Sequence, residues 1–286
     1  MEALEPVPGD LIVDCTVGLG GHAEAILEKT ASDGKLIGID RDARALEITK
    51  QRLGRSGERA TLIQGGFGDI KAIFERLGIE KADGFLFDLG VSSMQLDTAE
   101  RGFSFRFDAP LDMRMDPGAA TTAAGIVSRY SEAELDRILE HYGEERFHRR
   151  IAGAIAEERK RSPIETTGRL VEVIMRAVPY KGRHGRVHPA TRTFQALRIA
   201  VNDELGQLER ALGDAIGLLA GGGVICVVSY HSLEDRIVKN RFKQAKADGI
   251  LELINKKPLS PGQGEIGENP RARSAKLRAG KRVQGL

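Results

Sequence analysis

The residues whose types and spacing could do chemistry together are Asp14, the glycines at 18, 20 and 21, His22 and Asp40. An apolar run, Leu11-Ile12-Val13, ends at the Asp14 carboxylate. The glycines follow, then a helix-like segment, and a second apolar run closes on Asp40. This is the layout of a nucleotide-cofactor site on a doubly wound sheet: glycines let the backbone turn sharply and approach a ligand, and a carboxylate ending the second strand accepts ribose hydroxyls. The spacing is not that of a dinucleotide fold, whose glycines fall at positions one, three and six. An acidic residue four positions before the first glycine would also repel a pyrophosphate. A cationic sulfonium with an amino-acid tail would be attracted instead. The residues therefore point to S-adenosylmethionine, with Asp14 near the methionine end and Asp40 on the ribose. The competing reading is a tight strand-to-helix turn without a ligand, which Asp40 disfavours.

Three further segments follow strand-like runs and so fall on the same sheet edge. In Gly65-Gly66-Phe67-Gly68-Asp69, Phe67 could stack on an adenine face or belong to the core, and Asp69 could accept the adenine amino group. Asp88 ends the apolar run Gly84–Asp88 and opens Asp88-Leu-Gly-Val-Ser-Ser-Met-Gln95. His231 follows the run Gly223–Ser229 and opens a helix. The chain has no Gly-x-Ser-x-Gly elbow and no Gly-x4-Gly-Lys-Ser/Thr loop, which argues against a serine hydrolase and a P-loop enzyme. His184 and His188 lack Cys or carboxylate partners at ligand spacing, so no metal site is expected.

The elements that must position these residues alternate as βαβ units at the start: strands at 11–13, 35–39, 60–64 and 84–88, with helices at 22–29, 42–53 and 69–77 between them. Residues 92–118 break the pattern and read as a long functional loop bearing Phe103, Phe105 and Phe107. Helices are expected from the capping box at Ser131 to about His141, over Glu144–Arg161, over Thr167–Val178, and over Thr191–Leu219 as one helix or two. Strand character returns only at Gly223–Ser229, after a turn at Ala220-Gly-Gly-Gly. A helical insertion of roughly 115–190 thus divides a discontinuous domain of 1–114 and 191–286.

Charge is unevenly spread. Residues 146–198 hold 13 Lys and Arg against 4 Asp and Glu, whereas residues 1–145 hold 16 against 27. A basic middle beside an acidic cofactor half suggests a polyanionic partner such as nucleic acid. Arg183, Arg186 and Arg192, with Arg271, Arg273, Lys276 and Arg278 of the tail, are the expected phosphate contacts. No run of eighteen apolar residues exists, so no membrane span is expected. Residues 1–10 lack the features of a signal peptide, and Cys15 and Cys226 sit in apolar runs. Together these suit a reducing compartment, the cytoplasm.

At this point the chain resembles the bacterial small-subunit ribosomal RNA cytosine-N4 methyltransferase family, the RsmH (MraW) type. The matching residues are Thr16-x-Gly18-x-Gly20-Gly21-His22, Asp88-Leu-Gly-Val-Ser-Ser-x-Gln-Leu-Asp97, Arg101-Gly-Phe-Ser-Phe and Pro110-Leu-Asp-Met-Arg-Met-Asp116. Tyr142-Gly-Glu-Glu-Arg-Phe147, His188-Pro-Ala-Thr-Arg-Thr-Phe-Gln-Ala-Leu-Arg198, His231-Ser-Leu-Glu-Asp-Arg236 and Asn269-Pro-Arg-Ala-Arg-Ser274 continue the series. The resemblance implies a class I S-adenosylmethionine-dependent methyltransferase, a Rossmann-like doubly wound sheet with an inserted all-helical substrate-recognition domain. It implies transfer of a methyl group to the N4 amine of a cytosine in the decoding region of assembled small subunits. Carried over, the family's cofactor contacts fall on Gly20, Gly21, His22, Asp40, Phe67, Asp88 and Gln95; Gln95 comes from the resemblance alone. The family's N-terminal His-x-Pro-Val-Leu-x-x-Glu segment is absent ahead of the first strand, Met94 replaces a common proline, and Ala109 a common glycine. The Asp/Asn/Ser-Pro-Pro-aromatic loop of DNA amino methyltransferases is also missing after the fourth strand. The catalytic group is therefore left open among Asp88, Ser92, Asp97 and His231. The rival from another class is a ribosome-assembly factor with an inactive methyltransferase-like domain.

Overall fold

The computed structural model describes residues 1–182 and 187–285. These form two compact units, one of residues 1–90 with 205–286 and one of residues 91–204.

The first unit is a seven-stranded sheet. Its first half runs β1 (Leu11–Asp14), α1 (Gly21–Lys29), β2 (Lys35–Asp40), α2 (Ala43–Leu53), β3 (Ala60–Gln64), α3 (Ile70–Leu77) and β4 (Ala82–Asp88). The second unit then contributes α4 (Ser93–Asp97), α5 (Ala123–Arg129), α6 (Glu132–Gly143), α7 (His148–Glu158), α8 (Thr167–Ala177) and α9 (Thr191–Asn202). The sheet unit resumes with α10 (Glu204–Leu218), β5 (Leu219–Ser229), α11 (Ser232–Ala247), β6 (Leu251–Leu253), α12 (Gln263–Glu268) and β7 (Lys276–Arg282). Strand order is β3-β2-β1-β4-β5-β7-β6. Strands β1 to β5 are parallel, and β7 is antiparallel to both β5 and β6. The order reverses between β1 and β4, the switch point at whose carboxyl ends open α/β sheets bind ligands, and Asp14 and Asp88 end those two strands. Apolar layers cover both sheet faces: Ile70, Phe74, Leu208, Leu212, Val238 and Phe242 on one side, and Ala23, Ile26, Leu27 and Leu53 on the other.

The helical unit has its own core, in which Leu111 and Met113 pack with Ile126, Leu135, Leu139, Ile151, Ile155, Leu170, Ile174 and Leu197. Residues 91–114 and 191–202 therefore belong with this core, beyond the 115–190 span expected from sequence.

Several elements differ from expectation. Ala220-Gly-Gly-Gly is not a turn ahead of β5 but a bulge within it: Ala82 pairs with Leu219 and Gly84 with Val224, leaving extra residues on β5. Two more strands, β6 and β7, follow the 223–229 run. The loop at 92–118 contains α4, closed by a reciprocal capping box between Ser92 and Gln95. The helix expected over 144–161 starts only at His148, because Glu144 takes a left-handed conformation (φ 47°) and ends α6. Asp203, also left-handed (φ 48°), splits the 191–219 run into two helices.

Candidate cofactor site

The turn after β1 is fixed by its neighbours. Gly18 and Gly20 have φ of 51° and 79°, which side-chain-bearing residues seldom adopt. A Cβ on Gly20 would also lie 2.9 Å from Thr49 Cγ2 of α2. The Thr49 hydroxyl donates to the Gly18 carbonyl at 2.6 Å, tying the turn to α2. Gly21 opens α1 and has open space around the position of a Cβ, apart from Arg52 Nη1 at 3.9 Å. His22 follows it, half exposed, with Nδ1 3.9 Å from Asp88 Oδ2.

Three carboxylates end β1, β2 and β4. Asp14 is fully buried; Oδ1 accepts the Thr16 N–H at 3.1 Å, and Oδ2 has no hydrogen-bond partner among the described residues. Burial first, and then the charges of Asp88 and Asp40, push its carboxyl up to about 7. Asp40 Oδ2 accepts the Gly18 N–H at 2.9 Å and Oδ1 the Asp42 N–H at 2.8 Å. It thus braces the glycine turn against β2 and keeps a second lone pair on each oxygen. Burial raises its pKa as well, against those two N–H bonds. Asp88 Oδ1 accepts the Tyr230 hydroxyl at 2.9 Å, and its own N–H donates to Thr16 Oγ1 at 2.7 Å. Burial raises the Asp88 pKa, while nearby His22 and the Tyr230 bond oppose the rise. Desolvation and Asp88 together push the Tyr230 phenol above its ordinary range. Neither Thr16 nor Tyr230 carried a role in the sequence reading, although Tyr230 sits directly after a strand on this edge, which was the available signal.

Phe67 is half-buried and meets Phe87 edge-on at 5.9 Å between centroids. The glycines beside it have a packing reason: a Cβ on Gly66 would come within 2.6 Å of Gln207 Oε1, and one on Gly68 within 3.1 Å of Gln207 Cγ. They admit α10 closely, so they are not evidence of a ligand at Phe67. Asp69 is exposed at the start of α3.

His231 does not present a free ring. It N-caps α11, with Nδ1 accepting the Glu234 N–H at 3.4 Å and Nε2 3.1 Å from Glu234 Oε1. Buried Glu234 in turn accepts the Tyr230 N–H at 2.8 Å.

In the helical unit, Gln95 is buried and its Oε1 accepts the Ser92 N–H at 3.0 Å. Ser92 caps α4, and Asp97 is the last residue of that helix. Phe103 belongs to the core under the Arg101 guanidinium, and Phe105 packs against Phe194 and the His188 ring. Of the three phenylalanines only Phe107 is exposed, at 64%. Among the expected phosphate contacts, Lys276 and Arg278 lie in β7 and pair with Asp235 at 3.3 and 2.7 Å, so they are spent on the fold. Arg271, Arg273 and Arg192 are exposed. Arg183 and Arg186 lie outside the described residues.

A seven-stranded sheet in this order, with its one reversed strand β7, a glycine turn after β1 and an acid ending β2, is the arrangement of a class I methyltransferase. The chain matches the MraW methylase family over residues 1–283 and belongs to it. It is 51% identical to the ribosomal RNA small subunit methyltransferase H of Geobacter sulfurreducens, over 99% of this chain and 96% of that protein. The protein of the same name from Geotalea uraniireducens is 49% identical over the same shares. Among solved structures, Aeropyrum pernix fibrillarin in complex with S-adenosyl-L-methionine is similar over 97% of this chain and 68% of that one, at 11% identity and a TM-score of 0.42.

Proposed function

We infer that this chain transfers the methyl group of S-adenosylmethionine to the exocyclic N4 amine of a cytosine in the decoding region of small-subunit (16S) ribosomal RNA. Membership of the methylase family over nearly the whole chain carries the reading.

The residues present fit the cofactor. A buried carboxylate oxygen without a partner among the described residues, flanked by two further acids, favours a cation over a phosphate. Asp14 and Asp88 would hold the positive end, Asp40 the ribose hydroxyls, and Gly20, Gly21 and His22 the backbone edge of the turn. Phe67 would cover the adenine, and Gln95 completes the set on the strength of the family resemblance. When bound, S-adenosylmethionine supplies a methyl group activated by a sulfonium. The cytosine amine is a weak nucleophile because its lone pair is delocalised into the ring. Orientation of the base is therefore this chain's main contribution, worth up to about 7–11 kcal/mol in well-aligned systems. The base must be unstacked to enter such a pocket. The helical unit serves as the substrate-recognition domain, acting on assembled small subunits in the cytoplasm.

The test is incubation with small subunits from cells lacking this chain and methyl-labelled cofactor, followed by nucleoside analysis. One N4-methylated cytidine per subunit is expected. A folded, cofactor-binding protein that leaves the RNA unlabelled would instead be the inactive assembly factor.

A further inference from the structure

Two groups of arginines in the helical unit contrast with one another. Arg101 donates to the Arg114 and Met115 carbonyls, and Arg114 forks onto Asp112. Arg159 holds the Val127 and Tyr130 carbonyls, Arg169 and Arg176 converge on buried Glu158, and Arg198 forks onto Glu204. These arginines hold the fold. Arg146, Arg149 and Arg150 differ: all three are exposed, and none has an acidic partner among the described residues. Arg146 lies against the Phe147 ring, 5.6 Å from its centroid.

Their position goes against helix electrostatics. Arg149 and Arg150 occupy the first turn of α7, where the helix dipole disfavours cations, and that turn contains no acid. Phe147 at the N-cap makes no side-chain capping bond. The nearby acids are already used, since buried Glu145 accepts the Phe147 N–H at 2.8 Å and Asp136 pairs with His148 at 2.6 Å. A local rule broken without compensation inside the fold marks a place where function is served.

Two other segments meet the same corner. The Gly182 backbone packs on the Phe147 ring, within 2.6 Å of a Cβ position, and the same turn begins at Tyr180, which is 73% exposed. Exposed Arg192 donates to the Glu144 carbonyl at 2.9 Å, placing its guanidinium at the α6–α7 junction. Guanidinium groups that lack acidic partners, joined through Phe147 to a turn with an exposed aromatic ring, are the surface chemistry that fits single-stranded nucleic acid: phosphates on the cations and a base on the ring.

We propose that the corner formed by Arg146, Arg149, Arg150, Arg192 and Tyr180 binds the ribosomal RNA strand. The assignment rests on the function inferred above and adds a strand-holding surface, separate from the cofactor residues, that governs affinity for RNA.

The test compares the wild type with Arg146→Ala/Arg149→Ala/Arg150→Ala, with the corresponding triple Lys variant, and with Tyr180→Ala. Binding to small subunits without the modification is measured across a salt series, alongside cofactor titration and melting curves. The Ala triple should bind at least tenfold more weakly near 0.1 M salt, with the log–log salt slope flattened by about 0.7–0.9 for every phosphate that no longer meets a cation. Its melting temperature should hold or rise, because cations leave a helix N-terminus. The Lys triple should keep most of the slope, and Tyr180→Ala should lose affinity with the slope intact. Unchanged affinity and slope in a triple variant whose parent methylates normally would overturn the proposal alone. A parent inactive on RNA would overturn the functional reading instead. A lower melting temperature with normal binding would make these arginines structural.

Discussion

Asp40 serves the fold directly, and we propose that it serves a ligand as well. Its oxygens already accept the Gly18 and Asp42 N–H groups, so it shapes the glycine turn while each oxygen keeps a second lone pair. Asp40→Ala should weaken cofactor binding at least tenfold, in line with about 1.5–3 kcal/mol for a hydrogen bond to a charged group. Calorimetric titration of the folded variant checks this, and unchanged affinity would remove Asp40 from the site. Asp14 makes a pH-dependent prediction. Its carboxyl ionises near 3.8 in an unfolded chain but at about 7 in the folded one. The folded state therefore binds the extra proton across that window, and stability falls as pH rises from about 4 to 7. A cation beside Asp14 favours the ionised form, so cofactor affinity should climb as pH rises through about 7 and then level. Asp14→Asn should remove both trends, melting higher than wild type at pH 8 while binding cofactor less well. A variant that keeps the wild-type pH profile would show that another group titrates. At this scale Asp14, Asp40 and Asp88 were legible because each ends an apolar run. Tyr230 was not, because its hydrogen bond to Asp88 spans 142 positions of sequence.

At the scale of elements, the parallel strands were legible for the same reason: buried on both faces, they read as unbroken apolar runs. Strand β7, Lys-Leu-Arg-Ala-Gly-Lys-Arg, hid itself behind four basic residues. The structure explains how it enters the sheet: Asp235 of α11 takes both Lys276 and Arg278, and Arg278 is only 11% exposed. Those two arms hold the Asp235 carboxyl below its usual range, with burial opposing them. A depressed folded-state pKa contributes stability above the unfolded value, 3.8, which is lost as pH falls through the folded one. Asp235→Ala should thus lower stability by about 1.5–3 kcal/mol, the range for hydrogen bonds to a charged group that is partly shielded from water. Denaturant unfolding at neutral pH measures it, and the loss should shrink towards pH 3. A change below 1 kcal/mol would mean that β7 is held by its ladder alone. The helix expected over 144–161 failed for a different reason: the left-handed Glu144 is set by α6 ending against α9, where a Cβ on Gly143 would lie 2.8 Å from the Arg192 carbonyl.

At the scale of the whole molecule, sequence located an insertion but placed its ends wrongly for a core. Helical patterning between the fourth and fifth strands marks where helices run, whereas a domain ends where its apolar packing ends. Phe103, Leu111 and Met113 before residue 115, and Phe194 and Leu197 after residue 190, all pack inside the helical unit. Asn202 clamps that arrangement, donating to the Met113 carbonyl and accepting the Met115 N–H, both at 2.8 Å, around a Met113 held at φ 63°. Excision of 115–190 would strip these side chains of their partners and is expected to yield an aggregating protein. Excision of 91–204, with Gly90 joined to Leu205 by a flexible linker, removes a whole core and leaves the sheet's two apolar layers complete. That shorter protein should fold and still bind S-adenosylmethionine, more weakly by the contribution assigned to Gln95, and should not methylate small subunits. Calorimetry with cofactor and a labelled-methyl transfer assay read the two outcomes separately. Methylation at a normal rate by the excised protein would show that the sheet unit alone recognises RNA, and loss of cofactor binding in a cooperatively folded product would show that the helical unit is needed to complete the cofactor site.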